Sequence, residues 1–336
     1  MNSPGLVVVW RVTEICDLGC PFCAYSRELR RSRASADRGE ALRFGALLGE
    51  YARKNQREAL VSWLGGEPLL WKPIWDVSRA FRNQFGLRVS VTTNGTMLDS
   101  EEVRRCITED FDEVTVSVDG VGPDHDRRRQ TAGLYDRLEK NVRRLKEQRF
   151  ISGRGLRIRV NTVLMRDSIH SFESLCVAVA GWGVEELTFN ILGGRDRPEF
   201  FPGHSLQPEQ IDSFRRELPR IRERAADLGL SILGSERYLD RLSATITNHQ
   251  LPITDCSPGQ SFLFVDERGF LAPCSFTTQG YGVHLSEIRA ASDLQNLSAR
   301  FAERKRAEML APCYDCHSTQ VFGKFSSPLA GVTGFD

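Results

Sequence analysis

Three cysteines lie within eight residues near the start of the chain, at the spacing C-x3-C-x2-C. They are Cys16, Cys20 and Cys23, and they follow an apolar run, Leu6–Trp10, that predicts a buried strand. Thiolates select zinc or iron–sulfur clusters. Structural zinc sites usually close with four ligands, and no histidine or fourth cysteine lies nearby in the sequence. The spacing therefore favours a 4Fe–4S cluster in which one iron lacks a protein ligand and is open to a substrate or cosubstrate.

Four more cysteines form a second group far along the chain. These are Cys256, Cys274, Cys313 and Cys316, and the last two form a C-x2-C pair. Four thiolates make either one fully ligated iron–sulfur cluster or a structural zinc site, because the pattern fits both. The two remaining cysteines, on apolar faces of predicted helices, are typical of core packing.

Composition limits the class of protein. The chain has 336 residues and a formal net charge of +1, which gives no electrostatic argument for a nucleic-acid or anionic-membrane partner. The N-terminus lacks the basic and apolar regions of a signal peptide, and no apolar run approaches the roughly 20 residues that span a bilayer. We therefore expect a cytoplasmic protein with reduced cysteines that serve as metal ligands.

The elements that position these residues follow a repeating pattern. Apolar runs alternate with amphipathic segments six times up to about residue 192, which predicts a parallel α/β sheet with right-handed crossovers. Six repeats make a partial (β/α)6 barrel, open on one side. The predicted domains are a barrel at 1–194, a linker with helices at 195–250, and a small cysteine-bearing domain at 251–336. Functional residues of parallel barrels gather at the C-terminal strand ends.

Polar and glycine-rich segments follow the second, third and fourth predicted strands. They are Gly65-Gly66-Glu67-Pro68, Thr92-Thr93-Asn94-Gly95 and Ser117-Val118-Asp119-Gly120. Glycines let the backbone approach a neighbour closely, and a carboxylate can accept a hydrogen bond from an ammonium group. Each segment could also be a simple turn. An arginine of the triplet Arg127–Arg129 could pair with a carboxylate, although such a run is more typical of a solvated face. The sequence does not decide whether Asn161 and Asn190 face the cavity or a helix.

Together, the cysteine triad and these segments resemble the radical S-adenosylmethionine (radical SAM) enzymes. The resemblance implies a TIM-like barrel in which the open iron binds SAM. It implies that Phe22 lies beside the adenine and that the segment from Gly65 to Pro68 contacts the SAM amino group. It further implies that polar groups of the third and fourth strand ends suit the SAM carboxylate and ribose, with Thr93, Asn94, Ser117 and Asp119 as the candidates.

The second cysteine group resembles the shorter "twitch" form of the SPASM extension, which carries an auxiliary 4Fe–4S cluster. The spacing is most similar to that of aminocyclitol dehydrogenases such as 2-deoxy-scyllo-inosamine dehydrogenase. A full SPASM domain carries further cysteines, but here the corresponding positions are Phe322 and Phe325.

By resemblance, one electron cleaves SAM to methionine and a 5′-deoxyadenosyl radical, which takes a hydrogen atom from the substrate. We expect a sugar or aminocyclitol that is oxidised or rearranged, with electron transfer to the auxiliary cluster and flavodoxin or ferredoxin as the electron donor. The short segment before the first strand favours this small substrate, since a leader-binding domain would have no room. The alternatives are a maturase of a ribosomally made precursor peptide, or a redox-neutral epimerase with Cys106 or Cys176 as hydrogen donor. A zinc-binding interaction protein is the non-enzymatic alternative.

Overall fold

The computed structural model describes residues 5–153, 155–194, 197–247 and 256–326. Parts of all three predicted domains, including residues 195–196, 248–255 and 327–336, therefore lie outside the described residues. Within those ranges the strands and helices alternate as the apolar pattern predicts. The strands are β1 Leu6–Thr13, β2 Ala59–Gly65, β3 Arg88–Thr93, β4 Glu113–Ser117, β5 Arg157–Leu164, β6 Glu186–Ile191, β7 Ser231–Ile232, β8 Phe262–Val265, β9 Phe270–Ala272 and β10 Val283–His284. The helices are α1 Arg38–Lys54, α2 Ile74–Asn83, α3 Glu101–Asp110, α4 Pro123–Arg129, α5 Leu134–Ser152, α6 Phe172–Gly181, α7 Phe201–His204, α8 Pro208–Asp227, α9 Glu236–Thr247, α10 Thr278–Tyr281, α11 Ala291–Ala307 and α12 Ala311–Tyr314.

One continuous sheet runs through the described residues, in the order β10-β9-β8-β1-β2-β3-β4-β5-β6-β7. Neighbouring strands from β1 to β7 are parallel, as βαβ crossovers require. The predicted α/β class and partial barrel are confirmed, and the sheet is open, since β6 does not pair with β1. The short strand β7, which the sequence pattern did not reveal, adds one more parallel strand beyond β6.

The side chains of each strand alternate between two faces of the sheet. One face packs against the helices: Trp10 of β1 contacts Phe44 of α1, and Trp63 of β2 contacts Phe81 of α2. The other face, which we call the barrel interior, carries the alternate positions of each strand. The register places Ser117, Asn161 and Thr188 side by side there, on β4, β5 and β6. All three are polar, so the barrel interior differs in chemistry from the apolar helix-facing layer.

The cysteine-bearing C-terminal part continues the same sheet. Strand β8 pairs in parallel with β1 along Val7–Trp10, and β9 folds back antiparallel to β8. These two strands form a β-hairpin, and Gly269 at its turn has φ of 82°, a conformation that favours glycine. No helix in the described part of the chain is both long enough and apolar enough to cross a membrane. The cytoplasmic location stays a prediction.

Candidate functional site

The loop after β1 carries all three N-terminal cysteines, and we call residues 14–26 the cluster loop. Cys20 is buried and Cys16 and Cys23 are half-buried. The backbone N–H of Leu18 donates to Cys16 Sγ at 3.5 Å, and that of Tyr25 donates to Cys23 Sγ at 3.4 Å. Burial raises the pKa of Cys16 to about 12 and that of Cys20 to about 11. A bound cation would reverse this effect and hold the sulfurs as thiolates.

Asp17, between the first two cysteines, fastens the cluster loop to the loop after β3. Its Oδ1 accepts a hydrogen bond from Asn94 Nδ2 at 2.7 Å, and its Oδ2 accepts one from Thr96 Oγ1 at 2.6 Å. Asn94 Nδ2 also lies 3.8 Å from Cys16 Sγ. The segment Thr93-Asn94 therefore reaches the cysteines through the protein's own hydrogen bonds. Sequence reasoning missed Asp17, because an acidic residue in a polar loop has no distinguishing pattern.

Gly65 and Gly66 allow the end of β2 to lie against the start of the cluster loop. A Cβ on Gly65 would lie 2.4 Å from the carbonyl oxygen of Thr13, and one on Gly66 would lie 2.3 Å from that of Ile15. The N–H of Gly66 donates to Thr13 O and that of Glu67 donates to Ile15 O, both at 2.8 Å. The two glycines are thus required by backbone–backbone contact, a reason that applies before any ligand is considered.

Glu67 is fully buried, and its carboxylate is held by the protein itself. Oε1 accepts from Thr93 Oγ1 at 2.7 Å and from the N–H of Leu69 at 3.1 Å, while Oε2 accepts from the N–H of Asn94 at 2.7 Å. Burial raises the pKa of Glu67 to about 7 against the effect of these donors. Three of roughly four acceptor positions of the carboxylate are filled. Glu67 therefore joins the ends of β2 and β3, and the expected contact with an ammonium would have to share this carboxylate. Pro68 follows as the first residue of a short 3-10 turn.

Asp119, at the end of β4, forms a buried ion pair with Arg129 of α4. Asp119 Oδ2 accepts from Arg129 at 2.6 Å, and its Oδ1 accepts from the N–H of Val163 at 2.9 Å. Burial by itself lowers the pKa of Arg129, but Asp119 and the thiols of Cys20 and Cys23 raise it above its ordinary value. A permanent cation is therefore placed beside two of the three cysteines.

The solvated face is the wrong interpretation of Arg127–Arg129 for two of the three residues, whereas the alternative, an arginine paired with a carboxylate, describes Arg129 and Asp119. Arg127 is exposed, whereas Arg128 is buried and the Arg129 side chain is only 11% exposed, and both reach Asp119. Successive residues of a helix point in directions about 100° apart, so a run of three cannot share one face. His125, on the same helix, is fully buried and accepts a hydrogen bond from the N–H of Asp119 at 3.0 Å.

Phe22 lies half-buried beside this ion pair. The guanidinium of Arg129 is 5.5 Å from the centre of the Phe22 ring, and the ring of Phe200 is 6.4 Å away. The Phe22 side chain borders a cleft of about 180 Å³ at the outer end of the barrel. Its other lining residues are Pro21, Arg127, Arg128, Met165, Asp167, Phe200 and His204. The cleft thus offers an aromatic wall close to the cysteines.

The polar residues left undecided by the sequence face the barrel interior. Asn161 Oδ1 accepts from Thr188 Oγ1 at 3.1 Å and from Asn190 Nδ2 at 3.4 Å. Asn161 is paired in register with Ser117, which is half-buried and faces the same side. The structure therefore brings Ser117 into the interior, one strand away from Asn94, while Asp119 turns toward Arg129.

The four C-terminal cysteines lie within electrostatic range of one another. Burial raises the pKa of Cys274 and of Cys316, and the charges of Cys256 and Cys313 add to the shift of Cys274. Cys256 Sγ accepts from Lys305 Nζ at 3.2 Å, and Arg241 lies near Cys316. Within residues 5–153, 155–194, 197–247 and 256–326, no three His, Cys, Asp or Glu side chains are close enough together to hold a single metal ion.

Cys106 and Cys176 lie in the helix layer. Cys106, on α3, has Arg79 of α2 and Asp110 among its charged neighbours, and Cys176, on α6, belongs to the apolar core. Both are buried, and burial raises the pKa of each thiol. Their position fits packing and does not bring them to the strand ends.

A family model described as the Radical SAM superfamily matches residues 10–176, a range that contains the cluster loop, Glu67, Asn94, Asp119 and Arg129. Residues 10–176 belong to the Radical SAM superfamily. A radical SAM domain holds a 4Fe–4S cluster and SAM, and the residues present fit that pair. Three thiols share one loop, backbone N–H groups donate to two of the sulfurs, and Arg129 supplies a compensating positive charge.

Two known proteins are similar to this chain over most of its length. An AdoMet-dependent heme synthase of Nitratidesulfovibrio vulgaris is 22% identical, covering 80% of this chain and 73% of that protein. A PqqA peptide cyclase of Xanthomonas oryzae pv. oryzae is 24% identical, covering 95% of this chain and 82% of that protein. Neither name refers to a sugar or an aminocyclitol, so the expected substrate class gains no support from these relatives.

Solved structures agree with the fold. SuiB of Streptococcus suis, bound to the precursor peptide SuiA, superposes with a TM-score of 0.63 at 16% identity, covering 94% of this chain and 66% of that chain. The enzyme anSMEcpe with bound AdoMet and the Cp18Cys peptide superposes with a TM-score of 0.63 at 17% identity, covering 96% and 88%. At these identities the likeness concerns the fold, which is the radical SAM barrel with additional C-terminal elements.

Proposed function

We propose that this radical SAM protein abstracts a hydrogen atom from a peptide substrate and modifies that peptide. The observation that carries the proposal is the site at the strand ends. There Asp17 joins the cluster loop to the loop after β3, Glu67 joins the ends of β2 and β3, and Arg129 lies beside Cys20 and Cys23. When bound, the cluster supplies an electron and SAM supplies the adenosyl group that takes the hydrogen atom. The protein orients the reactants and excludes water.

A peptide substrate is supported by the relatives. PqqA peptide cyclase aligns over 95% of this chain, and two of the superposed structures contain a peptide. We therefore prefer the peptide to the sugar or aminocyclitol that the cysteine spacing suggested. The small-molecule substrate stays the second outcome of the test, because an AdoMet-dependent heme synthase aligns over 80% of the chain.

We assign separate roles in binding the cluster and SAM to the residues of the site. Cys16, Cys20 and Cys23 would hold the cluster, while Phe22 would flank the adenine and Gly65 and Gly66 would keep the β2 end close to SAM. Ser117 and Asn94 would present polar groups to the carboxylate and ribose of SAM. Asp119 and Glu67 position their neighbours, since both carboxylates are occupied by protein donors.

We further propose that Cys256, Cys274, Cys313 and Cys316 hold an auxiliary 4Fe–4S cluster that accepts an electron when the substrate is oxidised. The electrostatic influence of Cys256 and Cys313 on Cys274, and of Cys256 and Cys274 on Cys316, supports a shared site, and Lys305 and Arg241 would offset part of its negative charge. Iron analysis after anaerobic reconstitution separates the two kinds of site. Two clusters give about eight irons per chain, whereas one cluster and a structural zinc give about four irons and one zinc.

The test of the proposed reaction is release of 5′-deoxyadenosine by anaerobically reconstituted protein with SAM and a reductant. Parallel reactions contain a peptide pool rich in Cys, Tyr, Asp and Glu, a panel of aminocyclitols and sugars, or no addition. Stimulation by peptide, with a mass change of the peptide, is the expected result. Stimulation by the small molecules alone would contradict the peptide assignment while keeping the radical SAM reaction. Flavodoxin or ferredoxin can replace the chemical reductant to test the electron donor.

A further inference from the structure

The last described residues of the chain enter the barrel interior from its open side. We call residues 318–326 the C-terminal segment. Ser235, just after β7, fixes it by donating its N–H to Gly323 O at 3.0 Å and its hydroxyl to Phe322 O at 2.8 Å. Gly323 has φ of 74°, and a Cβ there would lie 2.7 Å from Ser235 Oγ. Phe322 is buried, with the guanidinium of Arg237 5.2 Å from its ring. These contacts hold the C-terminal segment against the residues that follow β7.

This anchoring carries the side chain of Lys324 inward. Its Nζ donates to Asn161 Oδ1 at 2.8 Å and lies 5.1 Å from the centre of the Phe325 ring. Asn161 is level with Ser117 on β4, and Ser117 lies one strand from the loop that holds Asn94. Lys324 therefore reaches the interior at the level of the segments proposed to bind SAM (residues 65–68, 92–95 and 117–120), although it is more than 200 residues from them in the chain.

The ammonium of Lys324 lacks a compensating negative charge among the described residues. The lysine is only 7% exposed, and the charged group that acts on it is the guanidinium of Arg159. Arg159 itself pairs with Glu113 and Glu186. Burial, followed by the charge of Arg159, lowers the pKa of Lys324 to about 7. Buried charges are usually paired, so this arrangement is costly for the protein alone.

The polar surface next to Lys324 is partly exposed on the interior side. An ammonium has three N–H donors, and Asn161 accepts from one of them. Ser117, Asn161 and Asn190 are only half-buried, so the interior is accessible at this level. An anionic group entering there would find the Lys324 ammonium together with the amide of Asn190.

We propose that Lys324 binds a carboxylate of the substrate inside the barrel, a specificity-determining contact that rests on the proposed function. For a peptide, that carboxylate belongs to an Asp or Glu side chain or to the chain terminus. The ion pair would hold the substrate at the level of the SAM-binding segments and would supply the negative charge that Lys324 lacks. An amide in place of the carboxylate would leave the ammonium uncompensated and would bind more weakly.

The first test does not depend on catalysis. The reconstituted protein is pulsed with acetic anhydride, and mass spectrometry follows acetylation at each of its six lysines, Lys54, Lys72, Lys140, Lys146, Lys305 and Lys324. The probes are N-acetylglutamate and its neutral isostere N-acetylglutamine, at matched ionic strength. We expect N-acetylglutamate to slow acetylation of Lys324 by about tenfold, as expected for a hydrogen bond between charged groups. Lys54, exposed and paired with Glu50, is the internal control.

Absence of selective protection, or equal protection by N-acetylglutamine, would overturn the proposal. A second test uses any substrate found to stimulate SAM cleavage. Lys324→Met should raise KM for that substrate by about tenfold or more, while Lys324→Arg should restore most of the binding. An unchanged KM in Lys324→Met would also overturn it. If no substrate stimulates SAM cleavage, the proposed function fails, whereas the acetylation result still decides the carboxylate site.

Discussion

Asp17 Oδ1 accepts a hydrogen bond from Asn94 Nδ2 at 2.7 Å, which joins the cluster loop to the loop after β3. The second carboxylate oxygen binds Thr96, so one side chain spans the two loops. Because Asp17 follows Cys16 directly, this contact fixes the direction in which the first cysteine leaves the loop. The candidate site is therefore organised by Asp17, a residue outside the set proposed to bind the cluster.

Asp17→Ala should impair the site without unfolding the protein. Loss of the two hydrogen bonds frees the cluster loop, and removal of residues that orient metal ligands typically costs 10–100-fold in metal affinity or activity. We expect a loss of about tenfold or more in SAM cleavage, with fewer irons retained per chain after desalting. Asp76→Ala, which removes an exposed carboxylate that pairs with Arg38, is the matched control. Full iron retention and cleavage in Asp17→Ala would show that the contact is dispensable.

Gly66→Ala should disrupt the same loop by steric conflict. The new Cβ would lie 2.3 Å from the backbone oxygen of Ile15, which cannot move without displacing the cluster loop. We expect a loss of about 1–3 kcal/mol in the free energy of unfolding, as for an overpacked site, together with a loss of iron. Gly181→Ala is the control, because nothing lies within 4 Å of its Cβ position and alanine favours a helix. Equal stability of the two variants, measured by urea unfolding, would contradict this account.

Arg129→Ala should be among the most damaging single substitutions in the domain. It leaves Asp119 buried without its cation, and breaking a buried ion pair costs about 3–5 kcal/mol. It also removes the guanidinium beside Phe22, Cys20 and Cys23. Arg127→Ala, on the same helix, removes only an exposed pair with Asp124 and should leave stability and iron content unchanged. Thermal unfolding of Arg129→Ala and Arg127→Ala is the measurement. Similar melting temperatures of the two variants would refute a buried ion pair between Arg129 and Asp119.

The free energy of unfolding should decrease in acid because His125 is fully buried. Burial, and then Arg129, lowers the pKa of His125 from 6.5 to about 4, so the unfolded chain binds the proton more readily. The stability contributed by the neutral ring is complete above pH 6.5 and is lost between about pH 6.5 and 4. The difference of about 2.5 pKa units corresponds to about 3 kcal/mol.

The measurement is urea unfolding of wild type and His125→Asn at several pH values. Asparagine keeps an acceptor for the N–H of Asp119 but does not titrate in this range, so it should lack this loss. The two proteins must be compared because Glu67 has the opposite effect on the free energy of unfolding. Burial raises the pKa of Glu67 to about 7, so its contribution to stability is lost as pH rises. Parallel pH profiles in the two proteins would rule out a buried neutral histidine.

The order of the elements and the location of the motifs could be predicted from the sequence, because apolar periodicity identifies strands and parallel strands end at a common edge. The roles of individual polar residues could not. Glu67 and Asp119 look like ligand contacts in sequence, yet donors from distant segments occupy them: Asn94, Arg129 and Val163. Such pairings depend on which loops meet in three dimensions, and a single sequence does not encode that in a local pattern.

Lys324 shows the same limit over a longer distance. It stands in a segment without periodicity, and its position depends on Ser235, which follows β7, and on Asn161 of β5. The opposite error occurred at Arg127–Arg129, where charge alone suggested a solvated surface although α4 turns two of the three side chains inward. Burial of charge is decided by tertiary contact, so composition predicted it poorly.

The most direct measurement is release of 5′-deoxyadenosine from SAM by anaerobically reconstituted, reduced wild-type protein and by a variant with Cys16, Cys20 and Cys23 replaced by alanine. The account predicts release by the wild type and none by the variant, which should lose one cluster, or about four irons per chain, while it retains those bound by the C-terminal cysteines. Iron-loaded wild type that releases no 5′-deoxyadenosine, or a variant that releases as much as wild type, would contradict the central claim that the cluster loop cleaves SAM.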